Sequence, residues 1–195
     1  MALESLQELY VEQLRDLYSA ENQILKALPK MEQAANHSEL KAAFRQHLAE
    51  TEEQVRRLEQ LFERLGETPG GVTCEGMKGL IKEGTKTMKE KADSDVLDAA
   101  LIADAQRVEH YEIAGYGCVR TYARLLGRTD DVAILQRTLD EEGDTDHKLT
   151  ALAERVINLD AAKGEREVTA GATRDATSGR ATGTGRTSSG DASAR

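Results

Sequence analysis

Apolar side chains recur at steps of three and four through four long stretches of this sequence, and that spacing is the period of an α-helix buried along one face. The first stretch runs through Leu6, Tyr10, Leu14, Leu17, Ile24 and Leu28, with Glu21 in the same phase. The second runs through Leu40, Phe44, Leu58, Leu61 and Leu65, with His47, Thr51 and Gln54 in phase. The third takes Leu101, Ala105, Val108, Glu112, Tyr116, Val119 and Tyr122, and the fourth Leu135, Thr138, Leu139, Glu142, Asp146, Leu149, Leu152, Val156 and Leu159. A chain patterned this way can bury its apolar stripes only by packing helix on helix.

The breaks between stretches set the connections. Pro29 is expected to kink or end the first helix, because it removes a ladder donor. Asn36, followed by Glu39, reads as the capping box of the second helix, and Gly66, Pro69, Gly70 and Gly71 end it. The segment from Cys74 to Glu90 reads as a short helix. Asp93 or Ser94 caps the third long helix, Gly127 closes it and Thr129 opens the fourth. The spacing thus predicts an all-α, four-helix bundle: two antiparallel pairs joined by a long crossover that carries a short helix. One such crossover gives ferritin-like connectivity. The halves read as a degenerate internal repeat.

Composition narrows the function classes. Among 195 residues there are 26 Lys and Arg against 35 Asp and Glu, a net charge of −9, which disfavours a phosphate-backbone binder. There is no apolar run of membrane-spanning length, and residues 1–10 do not read as a secretory signal. Cys74 and Cys118 are the only cysteines and form neither a CxxC pair nor a disulfide framework. The expectation is a cytoplasmic protein. The bundle domain is assigned to residues 1–163. Residues 164–195 are rich in Gly, Ser, Thr, Ala and Arg, bury almost nothing, and read as a disordered tail.

The informative residues are acids placed inside apolar stripes, since charged groups are rarely buried unless paired or bound to metal. Glu21 lies 15 residues before the turn at Asn36 and Glu50 lies 14 after it, so the two stand level. Glu112 and Glu142 stand 15 residues on either side of Gly127, with Glu109 and Asp146 about one turn further out. All four long helices therefore aim acids at one region near mid-length. Adjacent buried carboxylates repel, and a hard or borderline divalent cation such as Fe or Mn relieves the repulsion. The metal candidates are Glu21, Glu50, Glu109, Glu112, Glu142 and Asp146, with His47, Glu53 and Gln54 as weaker or supporting groups. His110 and His147 fall off the stripe, and His37 lies in a turn. Tyr18, Tyr111 and Tyr116 lie near the acids. Cys118 is expected to be a small buried residue, and Cys74 lies at a helix start, a place that can lower a thiol pKa but is weak evidence for a redox role.

The strings ELYVEQLRDLYSAENQILKALPKM, LKAAFRQHLAETEEQVRRLEQLF, CEGMKGLIKEG, DAALIADAQRVEHYEIAGYG and LQRTLDEEGDTDHKLTALA, in that order, resemble the YciF-type family of bacterial stress-associated, ferritin-like proteins. The resemblance covers roughly residues 4–160. It implies a ferritin-like bundle, a homodimer and a rubrerythrin-like dinuclear Fe or Mn site. By position it implies that Glu21, Glu50 and Glu142 are the carboxylates of the first, second and fourth helices. It also implies that Glu109 and Glu112 form the Glu-x-x-Glu pair of the third. The chain departs from the superfamily's Glu-x-x-His pattern: Glu53 and Thr145 stand where histidines would, with Gln54 and Asp146 one residue further on.

Three functions compete on this reading. The first is a dinuclear oxidoreductase reacting with peroxide or O₂, whose electron-donor partner the sequence does not reveal. The second is a non-enzymatic helical stress or scaffold protein with a vestigial site. The third is a DNA-coating mini-ferritin, which the acidic bundle disfavours.

Overall fold

The computed structural model describes residues 3–163, and the expected tail lies outside them. The chain divides at Ala161, and the helices below begin within its first unit. They are α1 (Leu6–Ala34), α2 (Ser38–Leu65), α3 (Glu75–Thr87), α4 (Ser94–Leu125) and α5 (Thr129–Leu152). Among the described residues there is no strand and no helix long and apolar enough to cross a membrane.

α1 begins at a capping box in which the Ser5 side chain accepts from the Glu8 amide while the Glu8 carboxylate accepts from the Ser5 amide. This satisfies two of the donors orphaned at a helix start. α1 then runs through Pro29 to Ala34, so the expected end at Pro29 does not occur. The proline costs the Leu25 carbonyl its ladder donor, while Ile24, Ala27, Leu28 and Met31 stay buried on either side and hold the helix to its neighbours. The cap of α2 is His37, whose Nδ1 accepts from the Glu39 amide at 3.3 Å, one residue beyond the expected Asn36. Asn36 is engaged elsewhere: its amide and that of His37 each donate to Asp98 at 2.7 Å. A carboxylate from α4 thereby anchors the turn between α1 and α2. Gly66 and Gly127 close α2 and the α4–α5 turn with φ of 67° and 72°, which glycine adopts without a Cβ penalty.

Pairing follows the predicted topology. α1 packs on α2 and α4 on α5, while α1–α4 and α2–α5 contacts close the bundle. All four neighbouring pairs are antiparallel. Asn36 meets Asp98 while Glu21 meets Tyr116, and Glu39 meets Arg155 while Arg64 meets Asp130. The crossover therefore spans the bundle lengthwise, and α3 lies against α1 and α4.

At the end of α5 the helix widens into a π-helical turn over Ala153–Ile157. The extra residue shifts the inward face by one position. Ala153 and Ile157 are buried, while Leu159 is 55% exposed, which displaces the expected Val156 and Leu159 stripe.

The core has two apolar layers. Ile24, Leu28, Phe44, Leu101 and Leu149 belong to one, and Leu14, Leu17, Leu58, Phe62 and Val119 to the other. Between them the buried positions are polar: Glu21, His47, Thr51, Gln54, Glu109, Glu112, Thr138, Glu142 and Thr145.

Candidate metal centre

The polar layer arises because each long helix interrupts its apolar stripe at the same height. α1 supplies Glu21, α2 supplies His47 and Gln54, α4 supplies Glu109 and Glu112, and α5 supplies Glu142. Glu21, Glu109, Glu112 and Glu142 are each 0% exposed, and His47 is 3% exposed. One ligand atom from each of His47, Glu109, Glu112 and Glu142 lies within 4.8 Å of the others. His47 bridges two of the acids: Nδ1 stands 3.2 Å from Glu109 Oε1, and Nε2 stands 3.8 Å from Glu142 Oε2.

Supporting contacts fix only part of this cage. Tyr116 donates its hydroxyl to Glu21 Oε1, and Gln54 donates its amide to Glu142 Oε1. The remaining oxygens are bare. Both oxygens of Glu109 and of Glu112, Glu21 Oε2, Glu142 Oε2 and His47 Nε2 are buried without a hydrogen-bond partner. Leaving one buried polar group unpaired costs about 1–3 kcal/mol, and more when it is charged.

The contrast with other buried acids locates the anomaly. Asp98 is 1% exposed but accepts from the Asn36 and His37 amides. Asp131 is 1% exposed and meets Arg64 at 3.2 Å and Arg128 at 3.3 Å. Those two acids are explained by their neighbours, whereas the cage acids are not.

Electrostatics follow from this crowding. Burial raises the Glu21, Glu109 and Glu112 carboxyls well above the usual range, and the charges of neighbouring cage acids push them further up. Burial also raises Glu142 to about 7, with Glu109 first and Gln54 second opposing the rise. Burial lowers His47 to about 4, with Lys148 adding to the drop, so its imidazole is neutral near pH 7. Burial raises Tyr116 as well, chiefly assisted by Glu21, which keeps its hydroxyl a donor.

The sequence candidates separate into two groups. Glu21, Glu109, Glu112, Glu142, His47 and Gln54 converge in the cage. Glu50 is half-buried at its edge, where Oε1 accepts from Gln46 at 2.8 Å and Oε2 from Thr145 at 3.4 Å. Asp146 lies outside, accepting from Gln106 at 3.0 Å and standing 3.4 Å from His110. Glu53 is exposed and pairs with Arg56 at 3.0 Å. The inward stripe of α2 is His47, Thr51, Gln54 and Leu58, and that of α5 is Thr138, Glu142, Thr145 and Leu149. A 3.6-residue period permits either the third or the fourth residue as the next inward one, and in both helices it passes over the acid.

Of the three tyrosines, only Tyr116 touches a cage acid. Tyr18 donates to Glu59 at 3.0 Å and Tyr111 to Asp16 at 2.6 Å. Cys118 is exposed, correcting the expectation of burial. Cys74 caps α3, but it is 0% exposed and burial raises its thiol, so the helix start does not activate it. Nothing in the apolar spacing singles out Asp104, a nearly buried acid on α4 whose Oδ1 pairs with Arg107 at 2.5 Å and whose Oδ2 has no partner.

The residues present suit a divalent cation. The donor set is one neutral imidazole and up to four carboxylates, which matches the preferences of Fe and Mn, and its unpartnered atoms converge on one another. These features define a ferritin-like helical bundle with a buried His and Glu cluster. The chain belongs to the family described as a domain of unknown function, DUF892, whose model matches residues 5–162. It is 40% identical over 159 residues to protein YciF of Escherichia coli (strain K12), covering 81% of this chain and 96% of that protein. The crystal structure of that stress protein aligns with a TM-score of 0.77 over 80% of this chain and 99% of the other. YcfI of Rhodopseudomonas palustris is 47% identical, with a TM-score of 0.73 over 75% and 94% of the two chains.

Proposed function

We propose that this protein is a stress-protection oxidoreductase in which His47, Glu109, Glu112 and Glu142, with Glu21 beside them, hold a dinuclear Fe or Mn centre that reacts with peroxide or O₂. The observation that carries this reading is the convergence of unpartnered, fully buried carboxylate oxygens on one imidazole. The relative in Escherichia coli is described as a stress protein, which fits a role in removing oxidants. When bound, two such metals would supply paired one-electron changes at neighbouring sites.

The chain's own residues have separable tasks. Gln54 engages Glu142 Oε1 and leaves Oε2 turned towards His47. Tyr116 steadies Glu21. The apolar layers on either side keep bulk water out, so charges inside the cage act in a low dielectric. The working unit is proposed to be a cytoplasmic homodimer, acting without a membrane or nucleic acid. Sedimentation of the purified protein tests the dimer: a mass near twice that of the chain supports it, and a mass equal to the chain contradicts it.

A second reading has its own observation. The raised carboxyls of Glu21, Glu109 and Glu112 favour their neutral acid forms, so protons alone could fill the cage of a non-enzymatic scaffold. Metal analysis of protein purified without chelator separates the two. About two equivalents of Fe or Mn per chain, lost in a Glu109→Gln/Glu112→Gln variant that stays helical, supports the first reading. Background metal only, together with a variant more stable than the parent, supports the second.

A further inference from the structure

A cavity of about 70 Å³ opens between α1, α3 and α4. Its walls are apolar, with Ile24, Leu28, Leu80, Ile81, Met88 and Val108 supplying most of them. Two members of the cage, His47 and Glu109, are buried polar groups of its lining. Asp104 also lines it, with Oδ2 buried and unpartnered. The cavity therefore joins a greasy wall to a short run of hydrogen-bond acceptors that lack donors.

We propose that this cavity binds a slender aliphatic molecule carrying one hydroxyl or hydroperoxyl head, with its chain against Ile24, Leu28, Leu80 and Ile81 and its head donating to Asp104. The proposal rests on the oxidoreductase reading and names the substrate class of that site. Apolar walls favour a hydrocarbon body, because binding removes its apolar surface from water. Asp104 Oδ2, unpartnered and outside the metal cage, favours a head that brings a proton to share at that end of the cavity. A carboxylate head would bring no donor and would face the Asp104 carboxylate. Lys26 and Lys30, both exposed, are the cationic lining residues and so mark the solvent side. α3 forms one wall of the cavity, which gives this crossover helix a role beyond connection.

The test uses 1-octanol and octanoate as probes, titrated into the full chain with and without Mn(II) and followed by methyl NMR of the Ile, Leu and Met side chains. Saturable shifts confined to Ile24, Leu28, Leu80 and Ile81 are expected with octanol. Octanoate should bind at least about tenfold more weakly. Leu80→Phe fills the cavity and should weaken octanol binding by about tenfold or more while leaving Mn content unchanged; Ile81→Phe serves if the first variant fails to fold. No saturable shift in folded protein, undiminished binding by the filled variants, or tighter binding of octanoate would overturn the proposal. Metal content is read independently. Octanol binding without any metal uptake would leave the cavity assignment standing and sink the oxidoreductase reading, and the reverse pattern would do the opposite.

Discussion

At the residue scale, the four buried glutamates and the one buried histidine make opposite demands on pH. The folded pKa values of Glu21, Glu109, Glu112 and Glu142 lie above their unfolded values, Glu142 at about 7. Their contribution to stability is present at low pH and is lost as pH rises through those folded values. His47 has the reverse sign: its contribution is present above 6.5 and is lost as pH falls towards about 4. Between pH 6.5 and 8.5 only the acids change, so the metal-free protein should melt at a lower temperature at pH 8.5 than at pH 6.5. Metal replaces protons on the same oxygens, so saturating Mn(II) should abolish or invert that trend in the same melting experiment. An unchanged slope with Mn(II) would mean that the cage is not where the metal binds.

The residue scale is also where the sequence was least legible. That Glu21, Glu112 and Glu142 point inward followed from their phase with leucines. Glu50 and Asp146 sit at positions the same period equally allows, and only packing decides against them: Glu50 turns to Gln46 and Thr145, and Asp146 to Gln106. His47 takes a more central place than its sequence rank, because its importance depends on Glu109 and Glu142 arriving from other helices. No pattern within α2 encodes that meeting.

At the element scale, helix number, pairing and crossover could all be read from the sequence, because they depend on stripes many residues long. Local departures could not. α1 continues through Pro29 because flanking burial outweighs one lost ladder bond, and the π-helical turn moves the last stripe of α5 by one residue. The contact between α1 and α4 rests on a small residue. A Cβ on Gly115 would come within 2.7 Å of a methyl of Leu17, which is 1% exposed. Gly115→Ala gains about 1 kcal/mol of helix propensity but forces an overpacked contact costing roughly 1–3 kcal/mol. The net expectation is a loss of about 1 kcal/mol, measured by urea denaturation; a more stable variant would show that the two helices part freely. Gly115 precedes Tyr116, so metal affinity should fall as well.

At the scale of the whole molecule, the bundle is two apolar layers held apart by one polar layer. A bundle selected for stability alone would fill that layer with leucine, since replacing buried charges by well-packed apolar residues is often neutral or stabilising. Retaining four buried carboxylates and an imidazole is thus the feature that needs a function, and the proposed divalent metal pair would supply one. The same layer is reached by the cavity beneath α3, so binding surface and chemistry meet at Glu109 and His47. The most direct test is an anomalous-scattering map from crystals of this protein soaked in Mn(II). Two peaks inside the cage are expected, in bonding contact with His47, Glu109, Glu112 and Glu142 and reached by Glu21. A cage without peaks, its carboxyl groups hydrogen-bonded to each other or to water while Mn(II) sits elsewhere, would contradict the account.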